Sequence, residues 1–248
     1  STEASKAAPD GYTLLLATNS THSIAPLLYK NIAYSALKDF APISEVATAT
    51  NVLIVTPGLP VKDVRELVAL AKSKPDALNF ASSGNGTIVH LQSELFKLVA
   101  GVQLTHVPYK GTALAIPDLI SGQTHLMFDS LVSALPHIKG GKVKALAVTS
   151  TTRTSLLPEI PTVIESGLPG YEVNTYFGLF APAGTPREII TRIQREAATA
   201  VQSSDVRERF ASQGAEPVGS TPEALTTLIR SETEKWKRVI DSGRIKVE

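Results

Sequence analysis

The sequence predicts an α/β fold built from mostly parallel sheets flanked by helices. Short apolar runs alternate with segments of helical periodicity along the 248 residues, which is the pattern of strands joined through helices. At about 150 residues per domain, the length corresponds to between one and two domains. Hydrophobic residues make up 43% and charged residues 19%, a globular rather than a disordered composition.

Each predicted strand is a short apolar or β-branched run, and amphipathic helices lie between several of them. The strands are predicted over 12–17, 52–56, 78–81, 104–107, 125–128, 143–149 and 176–181, with helical stripes over 61–71 and 189–201. Thr185 before Pro186, and Thr221 before Pro222, are each typical of an N-cap followed by proline at the first helical position. On the helix that follows Thr221, the only tryptophan, Trp236, is predicted to pack in the core rather than on a ligand.

Two shifts in composition divide the chain into two predicted lobes. Lobe 1 is discontinuous, 1–47 and 168–248, and lobe 2 is 48–167. The last part of the chain has one strand and three amphipathic helices without a sheet of their own, so we expect it to pack on the N-terminal part. Two connections between α/β lobes suit hinge closure around a ligand.

Charge and residue usage exclude several functional classes. The net charge of +1 is not that of a nucleic-acid-binding protein, and no apolar run approaches the ~20 residues that span a bilayer. No cysteine is present, and the five histidines lack the spacing of a zinc site. No nucleophile motif identifies a hydrolase. We therefore predict no catalytic residues, no metal and no cofactor.

A glycine-rich loop between a predicted strand and a predicted helix is the first candidate binding segment. Glycine lets the backbone approach a ligand closely, and a helix N-terminus favours anions. Val89 stands where a dinucleotide fingerprint needs its third glycine, and no P-loop lysine follows. The alternative is a plain strand-to-helix turn. The candidate residues are Ser83, Gly84, Asn85, Gly86 and Thr87.

Other polar segments also follow predicted strands, where ligands of open α/β sheets bind. Tyr109 and Gly111 flank Lys110, whose more common fate is a solvated side chain. Asn19 and His22 follow the first strand, where a polar loop or helix-cap cluster is the alternative. Asp129 ends another strand, where it is predicted to be the N-cap of the next helix, an acceptor for a ligand ammonium or hydroxyl group, or both.

Six ordered segments resemble the Bug family, the extracytoplasmic solute-binding proteins of tripartite tricarboxylate transporters. They are 9–15, 78–87 with His90 and Leu91, 107–111, 141–149, 158–162 and 181–186, and the match runs from near residue 4 to the end. The resemblance implies a two-lobed periplasmic binding protein (Venus-flytrap) fold. It also implies a periplasmic location and capture of a small organic acid, whether a dicarboxylate, an amino acid or an aromatic acid. The solute would be delivered to membrane permease subunits.

The resemblance also implies roles for individual residues. In the family, two loops clamp one ligand carboxylate, and one of them resembles 82–87 here. The other follows a first strand that would lie upstream of Ser1, so the chain is expected to lack that strand and loop. Asp129 aligns with a position that meets the variable end of the ligand, and Asn19, His22 and Phe177 are expected near the cleft.

Two other functions remain open at this point. A ligand-binding sensor or regulatory module would use the same closure. An enzyme on a similar scaffold is less favoured, because the sequence displays no convergent nucleophile, base and orienting group.

Overall fold

The computed structural model describes residues 1–243 and 245, which form two compact units. Unit 1 comprises Ser1–Thr48 and Thr175–Ile240. Unit 2 is Ala49–Asn174 with the last helical residues from Asp241. The chain thus passes from unit 1 to unit 2 after Thr48 and returns to unit 1 after Asn174. The lobe boundaries predicted from the sequence lie after residues 47 and 167.

The described residues form strands and helices that alternate along most of the chain. The strands are β1 (Leu15–Thr18), β2 (Phe40–Val55), β3 (Asn79–Ser82), β4 (Thr105–Pro108), β5 (Leu126–Ser130), β6 (Lys144–Val148), β7 (Asn174–Pro182) and β8 (Ala215–Pro217). The helices are α1 (Thr2–Ser5), α2 (Ala25–Leu28), α3 (Val64–Ser73), α4 (Ile88–Ala100), α5 (Thr112–Ser121), α6 (Leu131–Lys139), α7 (Arg187–Val201), α8 (Ser204–Ser212) and α9 (Pro222–Gly243), and a π-helical turn covers Ser20–Ile24. The predicted α/β class is confirmed.

In unit 1, β1 pairs with β7 and helix α9 covers the sheet. The β1–β7 pairing is antiparallel, and β7 and β8 both lie beside β2. The core joins side chains of three strands to Leu225 and Ile229 of α9. Gly178 of β7 has no room for a side chain, because a Cβ atom there would lie 2.7 Å from the Phe180 ring.

In unit 2, β3 lies between β4 and β5 and runs parallel to both. Strand β2 is antiparallel to β5 and to β6, so this sheet is mixed rather than mostly parallel as predicted. The difference follows from the connections. The chain passes from β3 to β4 and from β4 to β5 through helices, which return it in the same direction. Strand β2 enters unit 2 directly as the continuation of a strand of unit 1.

The two predicted N-caps have different outcomes. The Thr221 hydroxyl accepts the Ala224 N–H at 3.2 Å, and Pro222 is the first residue of α9, as predicted. The Thr185 hydroxyl instead donates to the Pro182 carbonyl at 2.8 Å, at the end of β7. Helix α7 therefore begins without a side-chain cap, and that prediction is wrong.

Apolar side chains from helices and strands fill both units. In unit 2, Phe96 of α4 packs 5.6 Å from Phe128 of β5, and Tyr171 lies against both rings. In unit 1, Trp236 is completely buried, which confirms its predicted place in the core. Over the residues that the structure describes, none of the helices has the length and apolar character needed to cross a membrane.

Candidate functional site

Three predicted site residues meet at one edge of the unit 2 sheet. Ser82 of β3 lies opposite Pro108 of β4, and Ala81 of β3 lies opposite Met127 of β5. Continuing these registers places Ser83 level with Tyr109 on one side and with Asp129 on the other. Neighbouring strands are about 4.8 Å apart, so the three residues are adjacent.

The loop that follows β3 depends on glycine. Gly84 has φ +134° and Gly86 has φ +70°, both in the range that side chains rarely adopt. A Cβ atom on Gly84 would lie 3.2 Å from the Tyr109 carbonyl oxygen. The absence of a side chain at Gly84 therefore lets the loop after β3 approach the segment after β4.

Both glycine amides of the loop bind protein groups. The Gly84 N–H donates to the Ser82 hydroxyl at 3.1 Å, and the Gly86 N–H donates to His90 Nδ1 at 3.2 Å. Thr87 is the N-cap of α4, since its hydroxyl accepts the His90 N–H at 3.4 Å and donates to the Gly84 carbonyl at 2.8 Å. The loop is thus built largely by its own hydrogen bonds.

Three polar side chains of the loop, those of Ser83, Asn85 and Thr87, are at least partly accessible. Ser83 is half-buried, and its hydroxyl donates to the Thr87 hydroxyl at 3.1 Å. Asn85 is exposed at the tip. A ligand carboxylate at this loop would therefore meet hydroxyl and amide side chains beside the N-terminus of α4, where the helix dipole favours an anion.

Asp129 is a buried acid with an incomplete set of partners. It is 2% exposed, and its Oδ1 accepts the Thr112 hydroxyl at 3.2 Å. Within the described part of the chain, its Oδ2 has no hydrogen-bond partner. Burial raises the pKa of this carboxyl to about 6, although the nearby Ser133 hydroxyl, Ser130 amide and Thr112 hydroxyl act in the opposite direction. It lies within β5, and Ser130 is the N-cap residue of α6, so the N-cap interpretation of Asp129 is wrong.

The segment after β4 positions an aromatic side chain and opens α5. The Tyr109 hydroxyl donates to Asp118 Oδ2 at 2.6 Å, and burial followed by this bond raises the pKa of Tyr109 to about 12. Lys110 is exposed, as predicted for a solvated lysine. Gly111 precedes α5 with φ +116°, and a Cβ there would meet nothing within 4 Å, so only its backbone conformation favours glycine.

Asn19 of unit 1 belongs to a buried hydrogen-bond network. Its side chain is fully buried, its Nδ2 donates to Glu232 Oε2 at 2.7 Å, and its Oδ1 accepts the Tyr176 N–H at 3.0 Å. The Trp236 Nε1–H donates to the same Glu232 oxygen at 2.8 Å. These contacts give Asn19 a packing role in unit 1.

His22 is also a core residue of unit 1. Its ring packs 4.3 Å from the Phe180 ring and 5.0 Å from the Phe40 ring, and burial lowers its pKa to about 4. Phe177 is half-buried on β7, opposite Thr18 of β1. The ligand contacts expected for Asn19, His22 and Phe177 stay predictions.

Sequence reasoning missed two histidines that lie directly behind the loop. The sequence suggests no role for His106 beyond metal spacing, and His90 enters only as part of a motif of the family resemblance. Across residues 1–243 and 245 no group of three potential ligands could hold a metal ion. In the structure, their rings stack 4.0 Å apart and both contact the loop 82–87. The only local signal is the spacing of four residues between Gly86 and His90.

The family model of the tripartite tricarboxylate transporter family receptor matches residues 2–244. The chain belongs to this family. A protein in the tcbD-tcbE intergenic region of Pseudomonas sp. strain P51 is 40% identical over 242 residues, 97% of this chain and 71% of the relative. Protein BugT of Bordetella pertussis is 36% identical over 236 residues, 95% of this chain and 72% of the relative. The Bug-family resemblance is confirmed.

Solved structures of family members share the fold. R. palustris Rpa4515 with adipate has a TM-score of 0.93 at 36% identity, over 99% of this chain and 82% of the other. MatC from Rhodopseudomonas palustris with bound malate has a TM-score of 0.86 at 35% identity, over 96% and 82%. The receptor therefore has the two-lobed fold of periplasmic binding proteins. It is a solute-binding receptor for a tripartite transporter and not an enzyme.

Proposed function

We propose that this receptor binds a small organic acid that carries a hydrogen-bond donor, a hydroxyl or ammonium group, away from the bound carboxylate. The ligand carboxylate would meet Ser83, Asn85 and Thr87 at the start of α4. The donor would meet Asp129. The observation that carries the proposal is the parallel register of β3 with β5, which, continued two residues past Ala81, sets Ser83 level with Asp129.

The loop after β3 and Asp129 offer the two different kinds of group that such a ligand requires. The loop side presents the Asn85 amide and the hydroxyls of Ser83 and Thr87 beside the positive end of a helix of 13 residues. Each hydroxyl would turn its hydrogen from its partner within the loop to the ligand carboxylate. Asp129 offers a buried acceptor oxygen, Oδ2, that no described group satisfies. Because an unpaired buried acceptor is costly, a ligand donor placed there gains more than it would gain on the surface.

The relatives support a dicarboxylate skeleton. Adipate is bound in Rpa4515 and malate in MatC, and malate adds a hydroxyl group to a four-carbon diacid. We further propose a periplasmic location, because similar solved chains are described as a periplasmic transporter and a periplasmic binding protein. Delivery to membrane permease subunits is the corresponding role of a receptor in this family.

Calorimetric titration with malate, aspartate and succinate tests the ligand proposal, since the three acids share one carbon skeleton. Malate or aspartate should bind more tightly than succinate by roughly tenfold to a hundredfold, the equivalent of a hydrogen bond to a charged group. The variant Asp129→Ala should remove this preference. Asp63→Ala, which removes the N-cap of α3 in the same unit, should keep it.

Two results would reject the proposal. If no organic acid or amino acid binds, the receptor does not take this class of solute and the proposed function fails. If the preference for malate or aspartate over succinate survives in Asp129→Ala, the acceptor is another group. Uptake of the bound acid by vesicles containing the permease subunits, measured with and without added receptor, tests delivery.

A further inference from the structure

We propose that His90 and His106 are positioning residues, two stacked imidazoles that hold the ligand loop 82–87 in its binding conformation. The inference deepens the proposed function, because it rests on that loop as the carboxylate site. It assigns no ligand contact to either histidine. Each acts through the loop backbone or through Ser82.

The hydrogen bonds connect each glycine of the loop to one ring. His90 Nδ1 accepts the Gly86 N–H at 3.2 Å. His106 Nε2 lies 2.6 Å from the Ser82 hydroxyl, which in turn accepts the Gly84 N–H at 3.1 Å. The two backbone positions with positive φ are therefore fixed by imidazoles, one directly and one through Ser82.

The rings form a stack that leaves them little freedom. His90 and His106 are nearly parallel, with an interplanar angle of 7°. Phe80 is nearly parallel to both, with its centroid 4.7 Å from His106 at 13° and 6.2 Å from His90 at 19°. His106 lies directly opposite Phe80 in the pairing of β4 with β3, and His90 comes from α4. Two strands and a helix thus set the positions of the nitrogen atoms.

The charge state of His90 suits its role as an acceptor. Burial, reinforced by His106 and Lys97, lowers the pKa of His90 to about 3, so the ring is neutral at physiological pH. Since Gly86 donates to Nδ1, the ring proton lies on Nε2, which faces Glu94 Oε1 at 3.8 Å. Lys97 pairs with Glu94 at 2.9 Å, so these two charges near the ring are paired with each other.

A core-packing role for these histidines would depend on ring shape, whereas a positioning role depends on the acceptor nitrogen. Two substitutions at His90 separate these properties. His90→Phe keeps a ring in the stack and removes the acceptor. His90→Asn removes the ring and keeps an acceptor near the place of Nδ1. At His106, Nε2 shares a hydrogen bond with the Ser82 hydroxyl in either direction. His106→Phe removes this polar atom and keeps a ring, whereas His106→Gln removes the ring and keeps a polar atom near the place of Nε2.

The first measurement needs no ligand and follows hydrogen exchange of the Gly86 amide by NMR in the full chain. We expect exchange about tenfold faster in His90→Phe, the equivalent of one lost hydrogen bond, and near wild type in His90→Asn. The Gly84 amide should respond in the same way to His106→Phe and His106→Gln. His125→Phe is the matched control, because His125 Nδ1 accepts the Asn79 N–H at 3.1 Å at the opposite end of β3.

The second measurement is the dissociation constant for malate, with the melting temperature recorded for every variant. His90→Phe should weaken malate binding about tenfold while keeping its melting temperature, and His90→Asn should restore affinity despite a lower melting temperature. His125→Phe should leave the affinity unchanged.

Unchanged Gly86 exchange in His90→Phe would overturn the proposal, and so would equal losses of affinity in His90→Phe and His90→Asn that follow the melting temperature. If wild type binds no organic acid while exchange at Gly86 behaves as expected, the proposed function fails and the control of the loop by the histidines stands.

Discussion

Replacing Asp129 by asparagine should make the protein more stable at neutral pH. The Asp129 carboxyl is 2% exposed, and burial raises its pKa from an ordinary value near 3.8 to about 6. Asparagine has nearly the same shape and cannot ionise, so it avoids the cost of a buried charge.

The sign and size of the effect follow from proton linkage. Between pH of about 4 and 6, the unfolded carboxyl has lost its proton while the folded carboxyl keeps it, so this group makes the wild type less stable as pH rises. The stabilisation that the protonated Asp129 carboxyl gives the folded wild type is fully present below the unfolded pKa and is lost as pH rises through the folded pKa. A rise of the pKa from near 3.8 to about 6 corresponds to roughly 3 kcal/mol. The free energy of unfolding of Asp129→Asn, relative to that of wild type, should therefore be higher at about pH 7.5 than at about pH 4 by this amount.

Urea unfolding of wild type and Asp129→Asn over about pH 4 to 7.5 gives the free energy of unfolding at each pH. The difference in the free energy of unfolding between the two proteins is the informative quantity, because buried histidines also change the stability of both proteins over this pH range. Burial lowers the pKa of His22 and His106 to about 4, which makes the protein less stable as pH falls from their ordinary 6.5. That opposite slope cancels in the difference.

A difference that does not change with pH would refute the reasoning, because it would mean that Asp129 ionises normally in the folded protein. A variant less stable than wild type at pH of about 7.5 would refute it as well, since the hydrogen bonds to the ionised carboxyl would then outweigh its burial.

Two further substitutions test the packing of the two units. Gly84→Ala should lower stability by roughly 1 to 3 kcal/mol and weaken malate binding, because Gly84 has φ +134° and its Cβ would approach the Tyr109 carbonyl. Unfolding and titration measure both effects, and wild-type values would show that the loop tolerates a side chain. Trp236→Phe should cost about 1 to 2 kcal/mol by removing the N–H that binds Glu232, measured by urea unfolding. A neutral result would mean that the indole contributes only its apolar surface.

The elements with strong local signals were predictable from sequence. Strand β3, the glycine loop and α4 follow from an apolar run, two glycines and the Thr87 cap. Strand β2 was predicted only over 52–56, although it begins at Phe40. In its first half, Pro42, Ser44 and Glu45 separate the apolar residues and interrupt the run that indicates a strand. This part of β2 is held by pairing with β7 and β8. The three-residue strand β8 has no pattern long enough to detect.

The sequence could predict which candidate residues follow a strand. It could not predict which of them come together, because that depends on tertiary contacts. Asp129 and Ser83 could be placed at strand ends, but their adjacency needs the register of β3 against β5. The stacking of His90 on His106 needs the pairing of β4 with β3 and the packing of α4, for which no local pattern exists. The buried hydrogen bond of Asn19 to Glu232 could not be predicted either, because the two residues are 213 positions apart in sequence.

The single tryptophan also makes unit 1 optically distinct. Trp236 is fully buried, and its indole N–H shares a Glu232 oxygen with Asn19, which follows β1 directly. Intrinsic fluorescence excited at the tryptophan band therefore reports one site in one unit. Any rearrangement that moves Asn19 alters the hydrogen bonding and electric field at the indole. The protein thus contains its own spectroscopic reporter, which requires no label.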